Sequence, residues 1–273
     1  MPELPEVETV RRSLEPRLLG RSIKQAYIYL PRIIKKPDAE SFTRLLAGRT
    51  VETVDRRGKY LLIRLAGDYT WVVHLRMTGQ LVYSEIKSEH KHLRLTFELD
   101  DGNWLNFIDM RTFGSMYLLS DDRLDEINGL KTMGPEPLED DFIMADFYQR
   151  LQGSSRAVKN LLLDQTVVAG LGNIYVDEAL FLAGIHPSRG GSSLTEEEAA
   201  KLFQAIKEVL QKGIENRGTT FRDYVDGAGA KGKNQHTLNV YGRGGESCSL
   251  CGTKLVKFRL GGRGTVFCPD CQK

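Results

Sequence analysis

Apolar and polar positions alternate along this chain in two regimes. Over 3–18 the apolar residues Val7, Val10, Leu14 and Leu18 recur at intervals of three and four, with Arg11 and Arg12 off the stripe, which predicts a helix. Pro16 should kink its last turn or end it early, and Gly20 should stop it. From Ser22 to Ser120 the pattern becomes β. Runs rich in Val, Ile, Leu, Tyr and Thr occupy 22–30, 50–55, 60–65, 70–75, 80–83, 92–99, 103–109 and 115–119. Asp101-Gly102 between two of them is a hairpin signal, and residues 36–47 read as a short inserted helix. About eight such strands predict a sandwich or barrel.

Residues 133–138, Met-Gly-Pro-Glu-Pro-Leu, break every period and mark a domain boundary. Helical spacing follows over about 143–152, 155–164, 173–184 and 195–216, the last opening on Thr195 and three glutamates as a helix N-terminus prefers. Between the second and third of these, 165–173 is apolar, glycine-bearing and too short for a helix; it reads as two successive turns. Residues 225–235 are glycine-rich without an apolar period and read as a mobile loop.

Composition narrows the picture. The chain has 273 residues, 41% hydrophobic and 27% charged, as in ordinary globular proteins, and its net charge is +2. No apolar run reaches membrane length and no signal-peptide pattern opens the chain, so a cytoplasmic protein is expected. The charge is uneven: 243–273 holds six Lys/Arg against Glu246 and Asp270. All four cysteines lie there too, as Cys248-x2-Cys251 and Cys268-x2-Cys271 with sixteen residues between the pairs. That is the spacing of a four-cysteine zinc ribbon holding one structural Zn2+, whose thiolates fill the coordination sphere. Arg263, with glycines on both sides, sits at the tip of the intervening hairpin, where glycine permits close approach and guanidinium suits phosphate.

The other chemistry-bearing stretch is the N-terminus, Met1-Pro2-Glu3-Leu4-Pro5-Glu6. Removal of Met1 would expose the secondary amine of Pro2. A free α-amino group titrates near ~8, so a useful fraction is neutral at pH 7 and nucleophilic toward carbon. Glu3 could shuttle protons for it. Taken alone, the same residues also suit a plain helix start.

Together these parts resemble the formamidopyrimidine-DNA glycosylase family of bacterial base-excision repair enzymes, over essentially the whole chain. The motifs that carry the resemblance are Pro2-Glu-Leu-Pro-Glu-Val-Glu8, Arg57-Gly-Lys-Tyr60, His74-Leu-Arg-Met77, Asp109-Met-Arg-Thr-Phe113, Gly134-Pro-Glu-Pro137, Gly172-Asn-Ile-Tyr175, and Gly262-Arg-Gly-Thr265 with the cysteines. The resemblance implies an enzyme that excises oxidised purines from duplex DNA and then cleaves the strand. Pro2 would be the nucleophile, Glu3 the proton donor and acceptor, Lys59 an aid to elimination, and Arg263 the finger arginine of the final elimination. Met77, Arg111 and Phe113 would fill the void left by the extruded base. His90, Lys159, Asn173 and Tyr241 match DNA backbone-contacting positions, and 219–236 matches the region that closes over the flipped base. The chain departs from the family pattern at Thr78, Thr112 and Ser154-Ser155, where an acidic or small residue, a basic residue and lysines are common.

The expectation is an α+β protein. It comprises an N-terminal β-sandwich with a leading helix (1–132), a linker (133–138), a helix–two-turns–helix domain with a mobile lid loop (139–236) and a zinc-ribbon finger (237–273). The expected partner is damaged double-stranded DNA, bound by a monomer with no membrane. Two other readings stay open: a sister glycosylase for oxidised pyrimidines, and a non-catalytic zinc-ribbon DNA-binding protein.

Overall fold

The computed structural model describes residues Met1–Lys273, which cluster into two compact units, Met1–Lys131 with Asn216–Gln235 and Thr132–Glu215 with His236–Lys273. No helix is long and apolar enough to cross a membrane.

In the first unit the expected stripe forms helix α1 (Leu4–Leu18), whose Leu4, Val7, Val10, Leu14 and Leu18 are fully buried. Gly20 follows it in the left-handed region at φ 75°. Of the two expectations for Pro16, an early end is not met: the helix runs on to Leu18. Proline at this position removes the i→i−4 hydrogen bond that the Arg12 carbonyl would accept, a loss that the packing around it has to offset. Buried Leu14 and Leu18 flank it, and Arg17 Nη1 donates back to the Ser13 carbonyl at 2.5 Å.

The β-rich stretch makes two sheets. The four-stranded sheet has the order β1-β7-β8-β6, from β1 (Ile23–Ile28), β7 (Leu93–Leu99), β8 (Trp104–Asp109) and β6 (Gly79–Ser84), all antiparallel. The five-stranded sheet has the order β2-β9-β5-β4-β3, from β2 (Ile34–Lys36), β9 (Ser115–Ser120), β5 (Tyr69–His74), β4 (Tyr60–Leu65) and β3 (Val51–Arg57). The sequence pattern does not disclose β2, which is three residues long and pairs parallel to β9. Helix α2 (Ala39–Leu46) is the inserted helix, capped by Asp38, which accepts the Ser41 N–H at 2.9 Å. Between the sheets lies one core that includes Phe42, Val54, Ile63, Trp71, Phe97, Phe107 and the α1 stripe, making this unit the expected sandwich. A charged cluster adds to the hold on α1. Glu8, 8% exposed, accepts from Arg11, Arg12 and Arg56 at 3.0, 2.7 and 3.2 Å, and Arg11 also reaches the Val54 carbonyl. Burial pushes the Glu8 carboxyl up, but the three arginines outweigh it and leave it below its ordinary value.

The glycine-rich stretch clusters with this sandwich, whereas the sequence reading placed it with the helices. It is tied along its length: Gly227 accepts the Tyr83 N–H and donates to Ser13 Oγ, both at 2.8 Å, and Asp226 accepts the N–H groups of Ala228 and Ala230. Backbone and short polar groups make these bonds, which is why no apolar period announces them.

After a short helix α3 (Asn128–Lys131), the second unit contains α4 (Met144–Gln152), α5 (Val158–Leu163), α6 (Asn173–Leu182) and α7 (Glu196–Glu215). Helix α5 starts three residues later than predicted because Ala157 is extended and bridges Gly190. Helix α6 is buried along nearly its whole length, packed by α5, α7 and the ribbon. At Gly213 of α7, a Cβ would lie 2.6 Å from the Tyr175 ring, so only glycine allows the close approach. Between α5 and α6 the chain makes the two expected turns, stitched by Gln165, which accepts the Gly170 N–H and donates to Leu171.

The ribbon is a hairpin, β10 (Val256–Leu260) and β11 (Arg263–Phe267), closed by Gly261-Gly262 at φ 55° and 77°. Its four cysteines are unpaired by disulfides, and their sulfurs lie within 4.8 Å of one another. For metal–sulfur bonds of about 2.3 Å, tetrahedral sulfurs stand about 3.8 Å apart. The Cys248–Cys271 and Cys251–Cys268 separations of 3.9 and 3.4 Å bracket that value, so the donor set fits a structural zinc. The ribbon's own core is small: Val240, Leu255 and Val266 with Cys248, Cys268 and Phe181 of α6. Metal binding is therefore expected to supply much of its folding energy. Cys268→Ser should release about one zinc per chain, open 237–273 to proteolysis and leave the sandwich's thermal transition in place. A metal assay finding no zinc in freshly purified wild-type protein would overturn this.

Candidate active site and nucleic-acid interface

The site candidates begin where α1 begins. Glu3 is the helix N-cap, in extended backbone, and is 2% exposed. Its N–H donates to Glu6 Oε2 at 2.8 Å. Glu6, itself 1% exposed, uses Oε1 to accept the Thr219 N–H at 2.7 Å, and its carbonyl accepts the Tyr224 hydroxyl at 3.2 Å. One buried carboxylate thus joins the start of α1 to the 216–235 segment. Pro2 is buried beside Glu3, while Met1 is exposed.

Lys59 lies in the turn between β3 and β4, the strands against which α1 packs, and is 7% exposed. Across the β4–β5 pairing, Tyr60 stands opposite His74, their rings edge to face at 4.5 Å. Burial, with Arg76 and Lys59 adding positive charge, holds the His74 imidazole down at about 3, so it is neutral at physiological pH. Its Nδ1 accepts the Arg76 N–H at 3.0 Å, which leaves the remaining proton on Nε2.

That bond opens the first of two projecting loops. Residues 75–78 connect β5 to β6 and leave Met77 40% exposed; residues 110–114 connect β8 to β9 and leave Arg111 and Phe113 exposed, the latter at 53%. The Arg111 guanidinium lies over the Phe113 ring, 5.2 Å from its centroid. Each loop holds a non-glycine residue in the left-handed region, Arg76 at φ 55° and Thr112 at φ 57°. Such residues cost about 1–3 kcal/mol each and persist where surrounding contacts impose them. The exposed apolar tips have no core to fill. His90 is exposed as well, on the loop before β7, with its Nδ1 accepting the His92 N–H.

In the second unit the candidates divide. Lys159 is wholly buried, not on the surface as a phosphate contact requires. Its ammonium pairs with fully buried Asp177 at 2.6 Å and donates to Thr265 Oγ1 and the Gly264 carbonyl at 2.9 and 3.1 Å. Burial raises the Asp177 carboxyl despite the lysine beside it. Direct phosphate contact by Lys159 is therefore corrected to a brace between α5, α6 and β11. Asn173, first residue of α6, donates Nδ2 to Gly264 O at 2.9 Å, and its buried Oδ1 has no hydrogen-bonding partner. Tyr241 is half buried; its N–H and that of Val240 donate to one oxygen of Glu178, and that of Asn239 to the other. Arg263 is exposed at the start of β11, next to the residues that Lys159 and Asn173 hold.

Sequence reading missed the groups that do this holding. Glu6, Thr78, Asp109, Asp177 and Glu178 are polar residues in strands, turns or helices and carry no spacing signal. The clue is acidic residues at positions that periodicity assigns to a buried face, as with Asp177 and Glu178 within a largely apolar helix.

Comparisons with known proteins cover the whole chain. Residues 1–116 match the formamidopyrimidine-DNA glycosylase N-terminal domain, 133–225 the formamidopyrimidine-DNA glycosylase H2TH domain, and 245–273 a zinc finger found in FPG and IleRS. The chain is 48% identical to the formamidopyrimidine-DNA glycosylase of Pelotomaculum thermopropionicum, covering 100% of this chain and 99% of that one. It is 51% identical to that of Moorella thermoacetica over 95% of both. Among solved structures, Lactococcus lactis Fpg in complex with abasic-site DNA superposes with a TM-score of 0.94 at 42% identity, covering 99% of each chain. MutM in complex with carbocyclic 8-oxo-G DNA gives 0.93 at 41%, covering all of both. Motifs, fold and full-length relatives agree, and the chain belongs to the formamidopyrimidine-DNA glycosylase family.

Proposed function

We propose that this enzyme excises oxidised purines, 8-oxoguanine and formamidopyrimidines, from duplex DNA through a Schiff base on Pro2, and then cleaves the strand at the abasic site. The observation that carries this reading is the start of α1: a Pro-Glu pair, both residues buried, immediately ahead of a helix locked by its apolar stripe and by Glu6 and Glu8. A group that must attack one carbon gains most from being held in one geometry. The relatives' complexes with abasic, Fapy-dG and 8-oxo-G DNA support the substrate class.

After Met1 is removed, the Pro2 nitrogen attacks C1′ of the extruded nucleotide. The glycosidic bond breaks, the base leaves with a proton, and the sugar ring opens to an iminium with Pro2 as Glu3 transfers protons. The iminium acidifies the neighbouring sugar C–H groups, so proton loss there expels first the 3′ and then the 5′ phosphate. Lys59 and Arg263 stabilise those departing anions, as cations aimed at developing negative charge do most effectively in a water-poor site. Met77, Arg111 and Phe113 occupy the gap left by the extruded base, offsetting part of its unstacking cost. His90, Asn173 and Tyr241 hold the backbone. The zinc supplies no chemistry; it folds the ribbon that presents Arg263.

Borohydride trapping on 8-oxoguanine duplex should give an adduct that mass spectrometry maps to Pro2, and a tag blocking the N-terminus should abolish it. Mapping to Lys59 would overturn the assignment. An oxidised-pyrimidine duplex should trap more weakly; the reverse preference would favour the sister activity.

The two chemical steps should separate by residue. Arg263→Ala should lower strand cleavage and DNA affinity while leaving single-turnover base excision comparatively intact at saturating enzyme. Glu3→Gln should lose excision yet retain some cleavage of a pre-formed abasic site. Equal loss of both activities in both variants, with affinity accounted for, would refute this division.

Binding should fall with ionic strength at a slope of about 0.9 per neutralised phosphate. Arg263→Ala should reduce that slope by about one, while Lys159→Met should change stability more than slope. A flat salt dependence of the wild type would point away from DNA.

A further inference from the structure

The two projecting loops meet at their roots. Strands β5 and β9 belong to the five-stranded sheet and β6 and β8 to the four-stranded one, so each loop crosses between sheets. Gly79 pairs with Asp109 and His74 with Ser115, which sets the crossovers side by side at one edge of the sandwich. Between them lies Asp109, 0% exposed. Its Oδ1 accepts the Thr78 hydroxyl at 2.6 Å and the Arg111 N–H at 3.2 Å, and its Oδ2 accepts the Gly114 N–H at 2.8 Å. The Thr78 oxygen in turn accepts the Arg111 N–H at 2.9 Å. Arg94 Nε donates to the Asp109 carbonyl, fixing the carboxylate's own backbone.

We propose that Thr78 and Asp109 are positioning residues for base extrusion: their hydroxyl–carboxylate bond clasps the two loops into one rigid wedge that presents Met77, Arg111 and Phe113 together. This rests on the void-filling reading above and adds what makes three side chains on two loops act as one. The hydroxyl of Thr78 is committed to this bond and to the Arg111 amide, so it serves the wedge and not a base edge. Space around the clasp is tight. A Cβ at Gly114 would fall 2.5 Å from Phe107 Cζ and 3.1 Å from Asp109 Oδ2, and one at Gly79 would strike the Leu75 carbonyl. The left-handed residues Arg76 and Thr112 sit one before Met77 and one before Phe113. The ladder pairs set the roots of the loops, and the clasp carries that register on from Asp109 to Thr78 and Arg111; a wedge entering a base stack must hold its shape under load.

Thr78→Val keeps the shape and deletes the hydroxyl; Thr78→Ser keeps the hydroxyl. Thr78→Val should lower single-turnover excision of 8-oxoguanine from duplex about tenfold, the scale of losing a hydrogen bond to a buried carboxylate. Thr78→Ser should restore most of the rate. Schiff-base trapping on a single-stranded abasic oligonucleotide, which has no stack to enter, should be unaffected by Thr78→Val. In a Met77→Ala, Phe113→Ala background the Thr78→Val effect should shrink to less than about twofold, because contacts that act through one another are not additive. Met77→Ala and Phe113→Ala themselves test the void-filling reading: full excision activity in both would overturn that reading and the clasp with it. If those variants are impaired while Thr78→Val matches wild type, the clasp alone is wrong. Loss of single-stranded trapping in Thr78→Val, or failure of Thr78→Ser to recover, would likewise overturn it by making the residue a general fold determinant.

Discussion

The carboxylate of Glu6 is the constraint on which the start of α1 depends. It is buried, and it accepts two backbone N–H groups from segments more than two hundred residues apart, those of Glu3 and Thr219. A buried carboxylate without such donors would be costly, so the bonds and the fold impose each other. The result is that the helix that follows Pro2 and the 216–235 segment cannot be arranged independently. The Tyr224 hydroxyl on the Glu6 carbonyl makes a third tie.

The same economy of means recurs wherever a functional group must be presented. In the sandwich, Asp109 gathers Thr78, Arg111 and Gly114 beneath the exposed Met77 and Phe113. In the second unit, Glu178 gathers three successive N–H groups at 239–241 and so orients Tyr241, while Lys159 with Asp177 holds the ribbon strand at Gly264 and Thr265 beside Arg263. In each case a buried polar side chain satisfies backbone dipoles or a counter-charge; Met77, Phe113 and Arg263 are left exposed beside such groups, and Tyr241 half buried. Hydrogen bonds to charged groups contribute about 1.5–3 kcal/mol each, and removing one partner costs more because the other remains buried. Rigid presentation is thus coupled to stability.

This division also sorts the cations. Arg111 and Arg263 are exposed and can neutralise a phosphate. Lys159 is fully enclosed with its counter-ion, and Lys59 is nearly so at the turn between β3 and β4. Depth, more than residue type, decides which of these cations meet solvent.

Much of this was determined by the sequence itself. The stripe of Val7, Val10, Leu14 and Leu18, the eight β runs, the break at 133–138 and the Cys-x2-Cys pairs are local patterns, and local backbone preference together with metal coordination suffices to specify them. The motif residues Pro2, Glu3, Lys59 and Arg263 stand out in the sequence for a different reason: they resemble a family's pattern, and their roles remain the proposal made above. Only the tertiary structure decided the rest. Whether Pro16 ends a helix depended on the burial of Leu14 and Leu18 around it, and whether Lys159 meets solvent depended on where Asp177 and Thr265 arrive. The short strand β2, the bonding of 225–235 and the partnership of Thr78 with Asp109 rest on pairings between residues far apart in the chain. Such pairings leave no period behind, because a hydrogen bond needs two groups brought to within about 3 Å, and only the folded chain brings them there.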